Sequence, residues 1–454
     1  MKFPENVLRM ISVIEQSGEQ AYAVGGCVRD TLMNRMPEDW DICTSASPQT
    51  VCRIFSAYPV IETGLRHGTV TVVMEGNAYE ITTFRTESTY SDHRRPDAVR
   101  FVTDIETDLS RRDFTVNAMA YNPRTGLIDV FGGEKDIYDK VIRAVGDARL
   151  RFEEDALRIM RCLRFACTLD FEIDAQTEQA VHEKKQLLNK VSQERITAEF
   201  LKLLCGKAPG NYLLRYPDVM RCILPEFSQI EQVSQNHPYH CHDLLHHTAA
   251  AMDAAEKELD VRLAVFFHDF GKAAVKTTDE NGIDHFYNHP AESCRMAERI
   301  MKRMRMSNEM VNRVKTLVEY HDYSLTVQGS SLKRVLNRIG GELAQKLVQV
   351  QMADIAAQSP ELYESRYENL LRVREKIGEI LEKQQCFQVS MLEIDGNDLK
   401  RLGYQGRPIG EILNDVLVKV MDNRLDNDKK AIISYVKKEF PKGGAPAGSG
   451  EQKL

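Results

Sequence analysis

The sequence predicts an α+β chain: a mixed-sheet head at the N-terminus followed by a largely all-α remainder. Short β-rich runs, Tyr58 to Glu62, Thr69 to Glu75, Ala78 to Arg85 and Arg100 to Val102, all lie near the start. After Val145-Gly146-Asp147 the character shifts to helix. At 454 residues the chain is too long for one core and suggests about three or four domains of roughly 100 to 200 residues. The expected boundaries are a head at 1–147, a helical neck at 148–235, a histidine-rich domain at 236–330 and a helical body at 331–440. The remaining 441–454, ending GGAPAGSGEQKL, has the composition of a disordered tail.

Composition narrows the function classes. The residues are 43% hydrophobic and 28% charged, no apolar run approaches the roughly 20 residues of a membrane span, and MKFPENVLRM lacks a signal-peptide apolar region. No membrane partner is expected, and the location expected is the cytoplasm. Ten cysteines without a C-x-x-C pair read as reduced thiols. A net charge of −7 argues against indiscriminate nucleic-acid binding but permits a local basic groove. Two basic clusters offer one: Arg85, Arg94, Arg95, Arg100, Arg111 and Arg112, and then Arg295, Arg299, Lys302, Arg303 and Arg305.

Residues 1–18 read as an amphipathic helix stopped by Gly18, with Val7, Leu8, Ile11 and Ile14 at helical spacing. The stretch YAVGGCVRDTLMNRMPEDWDICTSAS, Tyr22 to Ser47, then joins a short apolar run to Gly25-Gly26, a helical segment with Arg29 and Asp30, and the pair Asp39 and Asp41. Glycines let backbone N–H groups approach a phosphate. A strand over 39–43 puts Asp39 and Asp41 on one face, where they suit a hard cation such as Mg²⁺. Residues 48–58 read as a second helix. On the third β-run, Glu80 is a further carboxylate for the same site or a cross-strand partner of an arginine. The polar, proline-interrupted segment 86–99 reads as a loop. RRDFTVNAMAYN follows, with Arg111, Arg112, Asp113 and Asn117; arginines can neutralise triphosphate oxygens, and a carboxylate can accept from ribose hydroxyls. Residues 153–166, EEDALRIMRCLRFA, put Asp155, Arg158 and Arg161 along one side of a helix. A carboxylate there can accept from an exocyclic amino group, which cytosine and adenine both carry, while arginine can donate to ring acceptors.

Together these motifs resemble the class II tRNA nucleotidyltransferase and bacterial poly(A) polymerase family of the polymerase β superfamily. Thr63 to Thr69, Leu127 to Gly133, Glu194 to Lys202 and the glycine-punctuated 395–425 extend the resemblance. It implies a polymerase β-type head that adds C, C and A from CTP and ATP to the tRNA 3′ end. Asp39 and Asp41 would be catalytic and hold Mg²⁺, with Glu80 a third ligand. Gly25, Gly26, Arg29, Arg112, Asp113, Asn117 and Arg161 would bind the nucleotide, Arg112 and Asp113 at its sugar and phosphates. Asp155 and Arg158 would read the base, braced by Glu154. Arg66 and His67 would lie near the mouth of the site.

Nine of the twelve histidines fall between 237 and 321. His247 on a helix, His268-Asp269 ending VRLAVFFHDFGK, and Asp354 on a later helix resemble the order of HD-superfamily metal phosphohydrolases. His289 and His321 could serve a second ion. Imidazoles with carboxylates suit Mn²⁺, Ni²⁺, Fe²⁺ or Zn²⁺, and a bound water could attack a phosphoester. His237, His240, His242, His246 and His285 read as outlying. Three alternatives stay open at this stage: a CC-adding, A-adding or poly(A)-polymerising relative, a metal phosphohydrolase with a nucleotide-sensing head, and an RNA-binding protein without catalysis.

Overall fold

The computed structural model describes residues 1–87, 99–236 and 242–441. Most of the segment expected as a loop over 86–99 therefore lies outside the described residues, as do His237, His240, and the tail from 442. The chain forms two compact units, residues 1–229 with 303–306, and 230–302 with 307–454.

In the first unit, α1 (Glu5–Gln16) buries Val7, Met10, Ile11 and Ile14. It is followed by β1 (Ala21–Val24), α2 (Gly26–Leu32), β2 (Asp41–Thr44), α3 (Pro48–Ile54), β3 (Val60–Ile61), β4 (Thr69–Met74) and β5 (Asn77–Thr83). Next come the paired strands β6 (Arg85–Glu87) and β7 (Val99–Phe101), α4 (Ile105–Ser110), β8 (Ala120–Asn122) and β9 (Gly126–Ile128). The seven-stranded sheet runs β3-β4-β5-β2-β1-β8-β9. Its pairings are antiparallel except β2 with β5, so the sheet is mixed. The side chains of α1 and α3 cover one face with Val70, Val72, Ile81 and Ile42, all removed from water. The expected β-runs are therefore present with shifted ends, and the run Ala78 to Arg85 divides at Phe84 into β5 and β6.

The rest of this unit is helical: α5 (Gly133–Asp139), the short strands β10 (Val141–Ile142) and β11 (Glu172–Ile173), α6 (Ala148–Glu154), α7 (Leu157–Leu169), α8 (Ala175–Lys184), α9 (Gln193–Leu204), α10 (Pro209–Arg215) and α11 (Pro217–Ile223). Two expectations need correction. Strand β2 begins at Asp41, so Asp39 lies in the approach to the strand and not within it; its antiparallel partner β1 ends at Val24 and the chain enters α2 at Gly26, which leaves no strand on that side for residue 39 to pair with. The helix read through 153–166 is broken at Asp155, whose extended backbone (φ −137°, ψ 101°) separates α6 from α7. The break is stabilised because the Asp155 side chain accepts from the Leu157 N–H at 3.1 Å, a local bond that competes with helix continuation.

Among its described residues, the regular structure of the second unit is helical apart from the strand pair β12 (Thr277–Thr278) and β13 (Asp284–His285). Its helices are α12 (Leu244–Ala254), α13 (Leu259–Phe267), α14 (Lys272–Val275), α15 (His289–Arg303), α16 (Asn308–Tyr320), α17 (Gly329–Ile339), α18 (Gly341–Ala356), α19 (Pro360–Glu382), α20 (Gly396–Arg401), α21 (Pro408–Met421) and α22 (Lys429–Glu439). Helix α13 is buried almost all round, as its unbroken apolar run dictates. No helix among the described residues is long and apolar enough to cross a membrane.

Candidate active site and metal centre

In the first unit, a cleft of about 740 Å³ is lined by Gly25, Gly26, Arg29, Asp39, Asp41, Arg112, Asp113, Asn117 and Arg161. Gly25 has φ +78°, and a Cβ there would stand 3.0 Å from Arg112 Nη1, so both backbone and space select glycine. Asp41 opens β2 directly beside Glu80 of β5 in parallel register, which puts the two side chains on one face. Burial pushes the Asp41 carboxyl up; Arg112 pulls it down, and Glu80 and Asp39 push it further up. Asp39 and Asp41 give the cleft two carboxylates, oxygen donors of the kind a divalent cation takes, whereas Glu80 is exposed and does not line it.

Facing the aspartates is a network of arginines. Arg29 donates to Asn117 Oδ1 at 2.6 Å and forks onto Asp30 at 2.9 Å. Asn117 Nδ2 donates to Asp113 Oδ1 at 3.2 Å, and the Phe114 N–H to the same oxygen at 2.8 Å. Arg161 donates to Asp113 Oδ2 from Nε (2.8 Å) and Nη2 (2.6 Å). Burial pushes the Asp113 carboxyl up, but the Arg161 guanidinium prevails and brings it down to about 2. With four donors on its two oxygens, Asp113 is a hub that fixes Arg161 and Asn117. Arg112 reaches Asp108 at 3.3 Å, while its buried Nε–H has no hydrogen-bond partner among the described residues. Asp108, 1% exposed, also takes Arg111 at 2.8 Å; burial is outweighed by the two guanidinium charges, which hold its carboxyl below the usual range.

Asp155 and Arg158 do not line this cleft. Asp155 is paired with Arg195, and Arg158 with Glu154 (2.7 Å) and the carbonyls of Arg151 (3.0 Å) and Arg111 (2.8 Å). Three organisers escaped the sequence reading. Asp108 stands three and four residues before Arg111 and Arg112, a helix ion-pair spacing that could have found it. Glu199 accepts from Arg164 at 2.8 Å and Arg161 at 3.5 Å, and Phe165 lies under Arg164, 3.4 Å from guanidinium carbon to ring centroid. No spacing rule announces these last two.

In the second unit, α12, α13, α15, α16 and α18 bring His247, His268, Asp269, His289, His321 and Asp354 together. They form two groups, His247–His268–Asp354 and Asp269–His289–His321, each with ligand atoms within 4.8 Å of one another. The Nδ1 atoms of all four histidines face backbone carbonyls: His247 on Ala357 (3.2 Å), His268 on Val265 (2.6 Å), His289 on Phe286 (2.9 Å) and His321 on Val318 (2.7 Å). A carbonyl only accepts, so each Nδ1 carries a proton and each Nε2 turns inward as a potential metal ligand. These inward atoms approach pairwise, 3.2 Å between His247 and His268 and 3.1 Å between His289 and His321. Asp269 stands between the pairs, with Oδ2 3.0 Å from His268 and Oδ1 3.3 Å from His289. Lys272 Nζ lies 2.7 Å from Asp269, yet neither carboxylate oxygen makes an aligned hydrogen bond. Burial pushes His268 down, but Asp269 and Asp354 bring it up to about 10, whereas burial and the His268 charge hold His321 down to about 3. His268 therefore carries a proton on Nε2 as well, which a metal would displace; with it gone, four inward Nε2 atoms around the carboxylates of Asp269 and Asp354 are the donor set of a divalent metal pair. A second cleft of about 620 Å³ opens on this cluster, lined also by Lys272, Asp322 and Arg366. Of the outlying histidines, His246 pairs with Asp243 at 2.9 Å and His285 with Asp279 at 3.0 Å.

Residues 21–143 match the poly A polymerase head domain, 170–230 an RNA and SrmB-binding site of polymerase A, and 288–436 the tRNA nucleotidyltransferase domain 2. The chain is 32% identical over 440 residues to the CCA-adding enzyme of Pediococcus pentosaceus, covering 96% of this chain and 98% of that one. It belongs to the CCA-adding enzyme family. The CCA-adding enzyme of Enterococcus faecalis is 34% identical, with 96% of each chain covered. The crystal structure of the Bacillus stearothermophilus CCA-adding enzyme in complex with CTP matches with a TM-score of 0.73 at 28% identity, covering 96% of this chain and 98% of that one. The family is one of tRNA nucleotidyltransferases that use a divalent metal.

Proposed function

We propose that the first unit builds the 3′ CCA end of tRNA in the cytoplasm, adding C, C and A from CTP and ATP without a nucleic-acid template. The observation that carries this is the cleft in which Asp39 and Asp41 meet Gly25, Arg112 and the Asp113–Arg161 hub. The tRNA 3′-oxygen forms a bond to the α-phosphorus as the α–β bridging bond breaks and pyrophosphate leaves. Asp39 and Asp41, with Glu80 adjacent, would hold Mg²⁺, which supplies activation of the 3′-hydroxyl and neutralisation of phosphoryl charge. Arg112, with its unpartnered Nε–H, offers a donor to the triphosphate, and Gly25 and Gly26 admit it close to the backbone. Asp113 holds Arg161 and, through Asn117, Arg29, so these groups need no reorganisation when the nucleotide arrives. Asp155 and Arg158, which stand outside the cleft lining, would meet the base, as the family resemblance implies. The relatives compared are CCA-adding enzymes, which favours full CCA addition over CC-adding, A-adding or poly(A) synthesis. The test is incorporation of labelled CTP and ATP into tRNA lacking CCA. The Asp39→Ala/Asp41→Ala variant should lose at least about 10³-fold in rate, and unchanged incorporation contradicts the reading.

A second reading applies to the second unit and rests on the four Nδ1–carbonyl contacts that turn every Nε2 inward. It is a metal phosphohydrolase. His247, His268 and Asp354, and Asp269, His289 and His321, would hold Mn²⁺, Ni²⁺, Fe²⁺ or Zn²⁺, which supplies a water acidified for attack on a phosphoester. Lys272 beside Asp269, and Arg366 at the cleft, offer positive charge to the phosphate.

A further inference from the structure

Asp155 sits in the break between α6 and α7, where no helix fixes its side chain. Arg195, in the first turn of α9, takes that role: Nη1 donates to Oδ1 at 3.2 Å and Nη2 to Oδ2 at 2.7 Å. The Leu157 N–H adds a third bond, to Oδ1 at 3.1 Å. A carboxylate offers about four lone-pair positions. The fork plus the backbone bond therefore occupy three and leave one, on Oδ2, in a fixed direction. The neighbouring group is treated alike, since Glu154 and the carbonyls of Arg151 and Arg111 hold Arg158.

We infer that Arg195 is a specificity-determining positioning residue, which acts by turning Asp155 into a single aimed acceptor for a base amino group. This rests on the reading of Asp155 as the group that meets the base. Cytosine and adenine present an amino donor to such an acceptor. Uracil and guanine present a carbonyl oxygen at the equivalent position, and two acceptors face to face are repelled. Discrimination of this kind depends on the acceptor having one orientation, because a carboxylate free to rotate can turn its lone pairs aside and admit the wrong base. A lysine at 195 keeps the charge but offers a point contact in place of the planar fork.

The experiment compares kcat/KM for CTP and UTP on tRNA lacking CCA in wild type, Arg195→Gln, Arg195→Lys, Asp155→Ala and the double variant Asp155→Ala/Arg195→Gln, with thermal melts of each. Arg195→Gln should reduce the CTP-to-UTP preference at least tenfold, Arg195→Lys should give an intermediate value, and Arg195→Gln should add no further loss of preference to Asp155→Ala. Should Arg195→Gln fail to fold, Arg195→Lys carries the decision: a CTP-to-UTP ratio equal to wild type overturns the inference. It is equally overturned if Arg195→Gln folds and keeps the wild-type ratio, raises CTP affinity, or changes the ratio as much without Asp155 as with it. If Asp155→Ala itself leaves the ratio unchanged, the base-reading assignment fails instead.

Discussion

At the scale of single residues, the head works by carboxylates that hold arginines in place. Asp113 shows the energetics most clearly, because its carboxyl sits at about 2 against an ordinary 3.8, with burial opposing and Arg161 prevailing. A depressed carboxyl stabilises the fold above its unfolded pKa, and the contribution fades as pH falls from about 4 towards 2. The shift corresponds to on the order of 2 kcal/mol. Urea melts of wild type and Asp113→Asn between pH 5 and pH 2.5 should therefore converge as the pH falls, with the variant less stable at pH 5. Parallel curves would remove Asp113 from the acid-labile set. The residues of this site divide by how local their signal is. Asp41 was legible because alternation along a strand and the Gly-Gly turn are written within about 20 residues. The Asp113–Arg161 and Asp155–Arg195 pairs join residues 48 and 40 positions apart, and no periodicity encodes which carboxylate a distant guanidinium will find.

At the scale of elements, α9 organises the α7 side of the cleft. Its Arg195 holds Asp155, and its Glu199, 6% exposed, holds Arg164 and Arg161. Removing a partner from such a buried cluster leaves uncompensated charge and costs about 3–5 kcal/mol. Glu199→Ala should lower stability in urea melts by that order and raise KM for CTP as Arg161 loses a support; a loss under 1 kcal/mol would show that α9 is only a spacer. The sequence reading placed a helix at α1 because its apolar residues recur at helical spacing, and one through α7 because Asp155, Arg158 and Arg161 recur at spacings of three. It erred at Asp39 and Asp155, where the element's end is decided by the partner strand β1 turning into α2 in one case and by an aspartate bonding the N–H two residues on in the other. Both errors fall within the group of residues assigned to the nucleotide site, where regular structure gives way so that side chains can be aimed.

At the scale of the whole molecule, the two units carry chemically different centres: hard carboxylates with arginines in one, imidazoles with carboxylates in the other. The α+β class was legible, since β-runs cluster before residue 103 and helical spacing dominates later; the pairing of β2 with β5, which puts Glu80 beside Asp41, was not, because strand order is a tertiary property. The histidine centre predicts bound metal by elemental analysis, about two divalent ions per chain, and a fall in the melting temperature of wild type on chelation. His268→Ala/His289→Ala should lose the metal, lose the chelator response and lose phosphate release from a model phosphoester, yet keep nucleotide addition. Metal content equal to wild type would contradict the assignment. The central claim concerns the other centre, and the most direct measurement is the sequence of its product. A tRNA ending before C-C-A is incubated with all four nucleoside triphosphates and Mg²⁺, and the new 3′ ends are read. The account predicts C-C-A and then arrest; ends that stop at C-C, run on as poly(A), or show no extension would contradict it.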